Sequence, residues 1–530
     1  MKKKTQLYLL TILMMVLSAC SGTAAGTTES DVTAQASTSQ PVDSTPISAD
    51  FDDDDFTSTA NEAANAITLN GDSISAGEGV VVNGSIATIT AAGTYEVSGT
   101  LNDGQLVVET EDEENVTLLL AGANIHNESG SPIYVANAEK VIITLVESTE
   151  NNLSDSANYA NLTEDGEPNA AVFSHDDLTI NGTGVLNVSA NYNNGIASKD
   201  DLKITGGTIN VTAVDDGLKG KDSVSIKDGV ITINAGGDGI QSTNVNEAEK
   251  GFIAIEGGIF NITATDDAIN AATSLVIEGG SFTLNAGDDG IHAEYALTIN
   301  GGDVNIQQAH EGLESAFITI NDGNVRIVTS DDGLNATTGA GGEQADGSYF
   351  YINGGYVLLN ADGDGLDSNG NAVINGGTVI VQGPTMNNNG PLDVNGSLDV
   401  NGGTLIVAGS SGMPGIPSTV SVQNSIALGF DTVQPGGTII HLENVAGETV
   451  LTYESPKDFQ LFVFSSPEVA LNTTYTLYVG GSATGTVTNG VYSEGTYTPG
   501  TQVVSLETVS NVTTYGNFES GRGGGRGGRP

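Results

Sequence analysis

The sequence has one cysteine, no tryptophan and few basic residues. Its 530 residues include 15 Lys and Arg against 66 Asp and Glu, which gives a formal net charge of −51 at pH 7. A single cysteine excludes an internal disulfide framework and a cysteine-based zinc site. A surface of this charge repels phosphates, so no nucleic-acid partner is expected. The charge favours cations, or anionic ligands that cations bridge to the protein.

The amino terminus, MKKKTQLYLLTILMMVLSACSG, has three lysines, an apolar run from Leu7 to Leu17, and Cys20 directly after Leu-Ser-Ala. The apolar run is shorter than the about 20 residues that a membrane-spanning helix needs. This order resembles a bacterial lipoprotein signal, which implies that Cys20 is lipidated and becomes the first mature residue. A plain secretory signal with an incidental cysteine is the alternative. We expect a lipid-anchored protein of the cell envelope, exposed outside the cytoplasm, with residues 1–20 as its signal peptide.

Composition divides the rest of the chain into four expected segments. Residues 21–65 are rich in Ser, Thr, Ala and Asp, which predicts a disordered tether whose acidic run at 52–55 is solvated. Residues 66–415 contain the repeats of a predicted parallel β-helix. Residues 416–515 alternate without a repeat, which predicts an antiparallel β cap or small domain. Residues 516–530 predict a disordered Gly/Arg tail.

A repeat of about 22 residues organises the middle of the chain. The turn motif, commonly Asp-Asp-Gly, has its glycine, or alanine at 268, at positions 195, 217, 239, 268, 290, 312, 333 and 365. Two or three short β runs separate successive turns, as in LVIEGGSFTLNAGDDGIHAEYA. A leucine-rich repeat would need a fixed Leu and Asn ladder, and a nine-residue calcium β-roll has the wrong period. We predict an all-β protein in which each repeat forms one coil of a parallel β-helix.

Equivalent positions of successive coils stack about 4.8 Å apart, so the repeat defines columns of side chains. The residue after each turn glycine predicts an inward apolar column: Ile196, Leu218, Ile240, Ile269, Ile291, Leu313, Leu334 and Leu366. The residue before the glycine forms a mostly acidic column: Asn194, Asp216, Asp238, Asp267, Asp289, Glu311, Asp332 and Asp364. One position earlier lie Asp215, Asp266, Asp288 and Asp331, interrupted by Gly237, His310 and Gly363.

Stacked carboxylates about 4.8 Å apart repel by about 1 kcal/mol in water and by roughly 3 to 4 kcal/mol at an effective dielectric constant of about 20. A hard cation with oxygen ligands, Ca²⁺ rather than Mg²⁺, would relieve this repulsion. Asp-Gly is also a favoured turn, because glycine accepts positive φ, but turn chemistry does not explain the doubled aspartates. The predicted calcium ligands are Asp215, Asp216, Asp238, Asp266, Asp267, Asp288, Asp289, Asp331, Asp332 and, in a second alignment, Asp176, Asp200 and Asp222.

Residues 167–244, EPNAAVFSHDDLTINGTGVLNVSANYNNGIASKDDLKITGGTINVTAVDDGLKGKDSVSIKDGVITINAGGDGIQSTN, resemble a bacterial carbohydrate-binding β-helix family. The likeness extends from about 66 to 515 and includes AITLNGDSIS and FVFSSPEVALNTTYTLYVGG. The resemblance implies a right-handed, pectate-lyase-like parallel β-helix, associated with calcium, that binds cellulose and polygalacturonate. An acidic glycan suits the sequence best, because Ca²⁺ can bridge its carboxylates to Asp216, Asp238, Asp289, Asp332 and Asp364.

Two other functions stay open at this point. The same fold supports a polysaccharide lyase, in which Ca²⁺ neutralises a uronate carboxylate and a Lys or Arg removes the α-proton. Lys219 and Lys221 lie nearest an acidic turn, although neutralising Asp215, Asp216 and Asp222 is their simpler role. A surface adhesin with an acidic coat is the third possibility. We assign no catalytic residue from the sequence.

Overall fold

The computed structural model describes residues 47–57, 64–160, 162–247, 249–339 and 345–518. Apart from the short 3₁₀ helix Asp53–Phe56, all regular structure in these residues is β-strand. The described residues contain no helix with the length and apolarity that a membrane span requires. Cys20 and the rest of the predicted signal peptide lie outside the described residues. The prediction of an all-β fold is confirmed.

Most strands pair in parallel with the equivalent strand of the next coil, which makes the fold a parallel β-helix with three rows of strands. Leu218 pairs with Ile240 in row A, Leu202 with Val224 in row B, and Ile209 with Ile231 in row C.

Row A contains Ile86–Ile89, Gln105–Glu109, Ile133–Asn137, Ala170–Ser174, Asn194–Ser198, Leu218–Gly220, Ile240–Ser242, Ile269–Ala271, Leu334–Ala336, Leu366–Ser368 and Leu392–Val394. Row B contains Lys140–Leu145, Asp177–Gly182, Asp201–Ile204, Ser223–Ile226, Phe252–Ile255, Ser274–Ile277, Tyr349–Ile352, Asn371–Ile374 and Leu398–Val400. Row C contains Glu150–Asp155, Val185–Ala190, Thr208–Ala213, Val230–Ala235, Ile259–Ala264, Ser281–Asn285, Asp303–Ala309, Asn324–Thr329, Tyr356–Ala361, Thr378–Gln382 and Thr404–Gly409.

Some strands are long enough to belong to two rows. Ile291–Ile299 and Leu313–Ile320 continue from row A into row B. In the first coils, Asn65–Gly71, Gly93–Leu101 and Val116–Asn127 span rows B and C. Two short strands there pair antiparallel, Ile74–Ala76 with Asn65–Gly71 and Val80–Asn83 with Ile86–Ile89.

The interior of the β-helix is one continuous apolar core. The predicted inward column fills it, because Ile196, Leu218, Ile240 and their equivalents through Leu366 are fully buried. Row C shows the period-2 alternation of a strand with one face inside, since Val230–Ala235 buries every second residue. The prediction of an inward column is confirmed.

The turn glycines are required by crowding between coils. Gly217 and Gly239 do not have positive φ, in contrast to the turn chemistry that the Asp-Gly pattern suggested. A Cβ on Gly239 would lie 2.4 Å from the carbonyl oxygen of Ala268 in the next coil, and one on Gly217 would lie 2.6 Å from the carbonyl oxygen of Gly239. The backbones of successive coils therefore approach too closely for a side chain at most of these positions.

The chain leaves the β-helix after Thr404–Gly409, where Phe459–Ser465 pairs antiparallel with both that strand and Ser425–Gln434. Val512–Gly516 then pairs in parallel with Ser425–Gln434. The remaining strands form a six-stranded sheet and a two-stranded sheet: Thr486–Thr488, Val491–Ser493, Thr449–Glu454, Ile439–Asn444, Thr474–Val479 and Thr501–Glu507, and then Ser482–Ala483 with Tyr497–Thr498. The predicted antiparallel region after the β-helix is confirmed.

The acidic run before the β-helix packs against row B. We call residues 52–56 the strap. Asp55 is fully buried, and its carboxylate lies 2.5 Å from Lys140 Nζ and 3.7 Å from Lys203 Nζ and accepts a hydrogen bond from Thr179 Oγ1 at 2.6 Å. The prediction that this run is solvated is wrong for Asp55, because row B places two lysines where only stacked coils bring them together.

Candidate functional site

The acidic column before the turn glycines is buried in its earlier coils and half-buried at Glu311, Asp332 and Asp364, and many of its members are joined by hydrogen bonds. Asp216, Asp238, Asp267 and Asp289 are only 2 to 5% exposed. The N–H of Asp238 donates to Asp216 Oδ1 at 3.0 Å, and the N–H of Asp267 donates to Asp238 Oδ1 at 3.0 Å. The N–H of Asp289 continues the series by donating to Asp267 Oδ1 at 2.8 Å. We call this column the carboxylate ladder, and it has a structural role of its own.

In the first of the aligned repeats, the ladder position is occupied by an asparagine, Asn194, which makes the same hydrogen bond. Asn194 Oδ1 accepts the N–H of Asp216 at 3.1 Å, as a carboxylate does in later coils. Farther along, Asp332 Oδ1 accepts the N–H of Asp364 at 2.5 Å. A short side chain with an acceptor oxygen satisfies the next coil whether or not it is charged. The negative charges of the ladder are therefore not needed for the hydrogen bonds.

A second column lies beside the ladder on the outward side of row A, and we call it the facing column. Its members lie two positions after the turn glycines from Gly217 onward, or after Ala268 and Pro391 in the equivalent place, and row A pairing stacks them in register: Lys219, Gln241, Asn270, His292, Glu314, Asn335, Asp367 and Asp393. Of these residues, the sequence pattern pointed to Lys219, because it lies next to an acidic turn. The other members of the facing column could have been found from the sequence. Each directly follows the inward Leu or Ile of its coil, and in most coils it precedes a small residue.

The polarity of the facing column changes along the β-helix. In the earlier coils it supplies donors, since Lys219 Nζ lies 2.7 Å from Asp216 Oδ2 and Asn270 Nδ2 donates to Asp238 Oδ2 at 3.1 Å. In later coils it supplies acids at Glu314, Asp367 and Asp393, although Asn335 Nδ2 still donates to Glu311 Oε2 at 2.8 Å. Two groups converge there, with one ligand atom from each member within 4.8 Å of the others: Asp289, Glu311 and Glu314, and Asp332, Asp364 and Asp367. We call these six residues the acidic groove.

The groove carboxylates resist ionisation. Burial, together with neighbouring carboxylates, raises the pKa of Glu311 to about 7 and the pKa values of Asp332 and Asp367 to about 8. Burial and the carboxyl of Glu314 also raise the pKa of Asp289. No Lys or Arg in the described part of the chain is ion-paired with any of these five acids, Glu314 included.

The groove residues fit a hard divalent cation by their chemistry. All six offer carboxylate oxygens, which are the ligands that Ca²⁺ prefers. Asp238, Asp266 and Asp267 form a third group of the same kind, which brings Asp266 beside two ladder members.

The outer acidic positions differ from coil to coil. Asp215 Oδ2 accepts a hydrogen bond from Asn193 Nδ2 at 3.0 Å. Asp288 and Asp331 are largely exposed and lie on either side of His310, at 3.9 and 3.8 Å from its ring nitrogens. His310, Glu311 and Asp331 converge within 4.8 Å, whereas Asp215 and Asp288 belong to no such group among the described residues.

The second predicted alignment lies apart from the groove. Asp222 is 2.7 Å from Lys250 Nζ and accepts a hydrogen bond from Asn244 Nδ2 at 2.7 Å, and Asp176 accepts the N–H of Ala138 at 2.9 Å. Burial raises the pKa of Asp200, and Asp222 contributes to the shift. Within the described residues, Asp176, Asp200 and Asp222 join no group of three converging ligands.

These features define a parallel β-helix protein with an acidic groove on one side. The sequence profile of the family described as carbohydrate-binding domain-containing protein matches residues 83–333 and 288–423, which together make up more than half of the chain. The chain therefore belongs to this family, as the resemblance predicted.

A protein of the same description from Acetivibrio thermocellus is 44% identical over 154 residues, which are 29% of this chain and 51% of the relative. The chain thus spans about half the length of this curated relative. A solved structure titled as the polysaccharide lyase-like protein from C. thermocellum, gadolinium derivative, is 41% identical, with a TM-score of 0.40. That match covers 46% of this chain and 95% of the other.

Proposed function

We propose that this chain binds an acidic polysaccharide of the polygalacturonate type through the acidic groove, with Ca²⁺ as the cofactor. The observation that carries the proposal is the meeting of ladder and facing-column carboxylates in the later coils, where no Lys or Arg among the described residues forms an ion pair with Asp289, Glu311, Glu314, Asp332 or Asp367. Membership of a carbohydrate-binding family supports a polysaccharide as the ligand. Ca²⁺ supplies positive charge and accepts six to eight oxygen ligands, from protein and uronate alike.

The residues have distinct roles in this proposal. Asp332 and Asp364 are held by the ladder, since Asp332 Oδ1 accepts the N–H of Asp364 and Asp364 Oδ1 accepts the N–H of Gly390. Their positions are thus fixed before any ligand arrives. Asp367 comes from the facing column and closes the group on its outward side. Asp289, Glu311 and Glu314 repeat the arrangement, so two cation sites would line one side of the β-helix.

A lyase is the alternative, and one observation favours it. Lys219 and Lys221 line a small pocket together with Lys199 and Glu167, so several lysines gather in one place on an otherwise acidic protein. Lys219 is paired with Asp216, however, and Lys221 lies 3.6 Å from Asp222. This arrangement agrees with the neutralising role, and it lies in coils that precede the groove.

The proposal is tested by retention of the protein, expressed without residues 1–20, on insoluble polygalacturonate. We expect retention in Ca²⁺, its loss in chelator, and binding weaker by on the order of tenfold in Asp367→Asn, because one cation ligand loses its charge. Asp322→Asn is the matched control, since Asp322 is exposed and bonds only the neighbouring Gly323 N–H. Retention that survives both chelator and Asp367→Asn would contradict the proposal. Unsaturated uronate products would identify a lyase.

We also propose that the protein is anchored to an envelope membrane through a lipid on Cys20, which the order of charges and apolar residues at 1–20 supports. Cys20→Ala is expected to move the protein from the membrane fraction to the soluble fraction and to abolish labelling by a fatty-acid analogue. A wild-type protein that is recovered unlabelled in the soluble fraction would show that the segment is a plain secretory signal.

A further inference from the structure

One group of converging side chains combines a nitrogen ligand with two buried carboxylates. His292 belongs to the facing column, and one ligand atom each from His292, Asp267 and Asp289 lie within 4.8 Å of one another. Asp267 and Asp289 are each 5% exposed, and the side chain of His292 is 25% exposed. The Nδ1 atom of His292 is 3.7 Å from Asp267 Oδ2. The two carboxylates are therefore buried, and the imidazole is the most exposed member of the group.

A second observation concerns Asp289 itself. Asp216, Asp238 and Asp267 each accept an N–H from the following coil, but no N–H group in the described part of the chain donates to the Asp289 carboxylate. Row C pairing with the next coil also shifts register just before this turn, between Leu284 and Asn285. The side chain that Asp289 meets is another acid, Glu314. A carboxylate that is nineteen-twentieths buried thus receives no N–H from the described residues and has the acid Glu314 as its side-chain hydrogen-bond partner, while one of its oxygens lies in the group with His292.

The donor set distinguishes this group from the acidic groove. Imidazole suits zinc, copper, iron and nickel, whereas carboxylates alone suit calcium, magnesium and manganese. Zinc bonds to His nitrogen and carboxylate oxygen are about 2.0 to 2.2 Å long, so two ligands of one ion lie at most about 4.4 Å apart. A separation within 4.8 Å closes to this value by small side-chain movements.

We propose that Asp267, Asp289 and His292 form a binding site for a divalent transition metal of the Zn²⁺ type, in addition to the calcium sites of the proposed function. Asp289 also belongs to the group with Glu311 and Glu314. Because a carboxylate has two oxygens, Asp289 can serve both groups as a shared ligand. The group at His310 is a weaker candidate, since His310 is 49% and Asp331 is 43% exposed.

The test uses the full chain without a histidine tag and Co²⁺ as a spectroscopic probe for a Zn²⁺ site, in excess Ca²⁺. We expect one Co²⁺ per chain, with visible absorption that Zn²⁺ abolishes. His292→Gln is expected to weaken binding by on the order of tenfold or more. The matched control is His126→Gln, which should leave binding unchanged, because that imidazole bonds Ser154 Oγ at 2.9 Å and belongs to no converging group among the described residues.

A second variant separates loss of the metal from loss of the fold. Asp267→Asn keeps an acceptor oxygen for the N–H of Asp289, as Asn194 does for Asp216, and removes one charged ligand. It should weaken Co²⁺ binding while the thermal midpoint of the metal-free protein is kept. Unchanged binding in His292→Gln, or binding abolished by His310→Gln instead, would overturn the proposal. This test is independent of the calcium proposal, because His292→Gln leaves the three ligands Asp332, Asp364 and Asp367 in place.

Discussion

Asp55→Ala is expected to lower the free energy of unfolding by about 3 to 5 kcal/mol, the range observed when one partner of a buried ion pair is removed. Asp55 is fully buried, with Lys140 Nζ at 2.5 Å and Lys203 Nζ at 3.7 Å. Burial acts to lower the pKa of Lys140, but hydrogen bonds to Asp55 and Asp52 raise it overall. Alanine would leave two desolvated ammonium groups without their shared carboxylate. Urea denaturation followed by far-UV circular dichroism measures the loss of stability.

Two further variants identify the cause of that loss. Asp53→Ala removes an exposed carboxylate from the same strap, and its effect should stay within about 0.5 kcal/mol. Adding Lys140→Met to Asp55→Ala should recover part of the stability, because an apolar side chain then replaces a buried ammonium whose remaining partner is the exposed Asp52. If Asp55→Ala lowered the free energy of unfolding as little as Asp53→Ala does, the buried carboxylate of Asp55 would not stabilise the β-helix.

Without divalent cations, the protein is expected to lose stability steadily as the pH rises from about 4 to about 8. Asp332 and Asp367 have pKa values of about 8 in the folded protein, against a usual value of 3.8. Between these values the folded state binds more protons than the unfolded state, so each increase in pH favours unfolding. Each unit of difference corresponds to about 1.4 kcal/mol. Differential scanning calorimetry at a series of pH values in chelator measures the fall in Tm.

Calcium is expected to reverse this pH dependence. An ion that binds only the folded, ionised groove adds stability at the pH values where the carboxylates would otherwise repel. Asp367→Asn should flatten the fall in chelator, because one of the raised groups can no longer ionise, and Asp322→Asn should leave it unchanged. A Tm that does not respond to pH in chelator, or that is the same with and without Ca²⁺ at pH 8, would argue against a cation site in the groove.

The repeat made much of the fold predictable. Period and turn chemistry are local properties, so the coil length and the inward column of Ile240 and its equivalents could be obtained by aligning the turns. The same alignment brought Asp238, Asp289 and Asp332 into one column, where the structure places them. It could not show that this column is buried, because the ladder of hydrogen bonds runs from one coil to the next.

The sequence by itself determined the class of fold, the stacking of acidic residues and the excess of negative charge. Tertiary structure decided which ladder carboxylates face a side-chain hydrogen-bond donor and which face another acid. Asp238 and Asp289 both occupy the ladder position, yet Asn270 donates to Asp238, whereas Asp289 faces Glu314. The reason is that Asn270 and Glu314 come from the next coil, 32 and 25 positions farther along the chain, so their proximity to the ladder depends on inter-coil register. The same holds for Asp55, whose lysine partners come from two different coils.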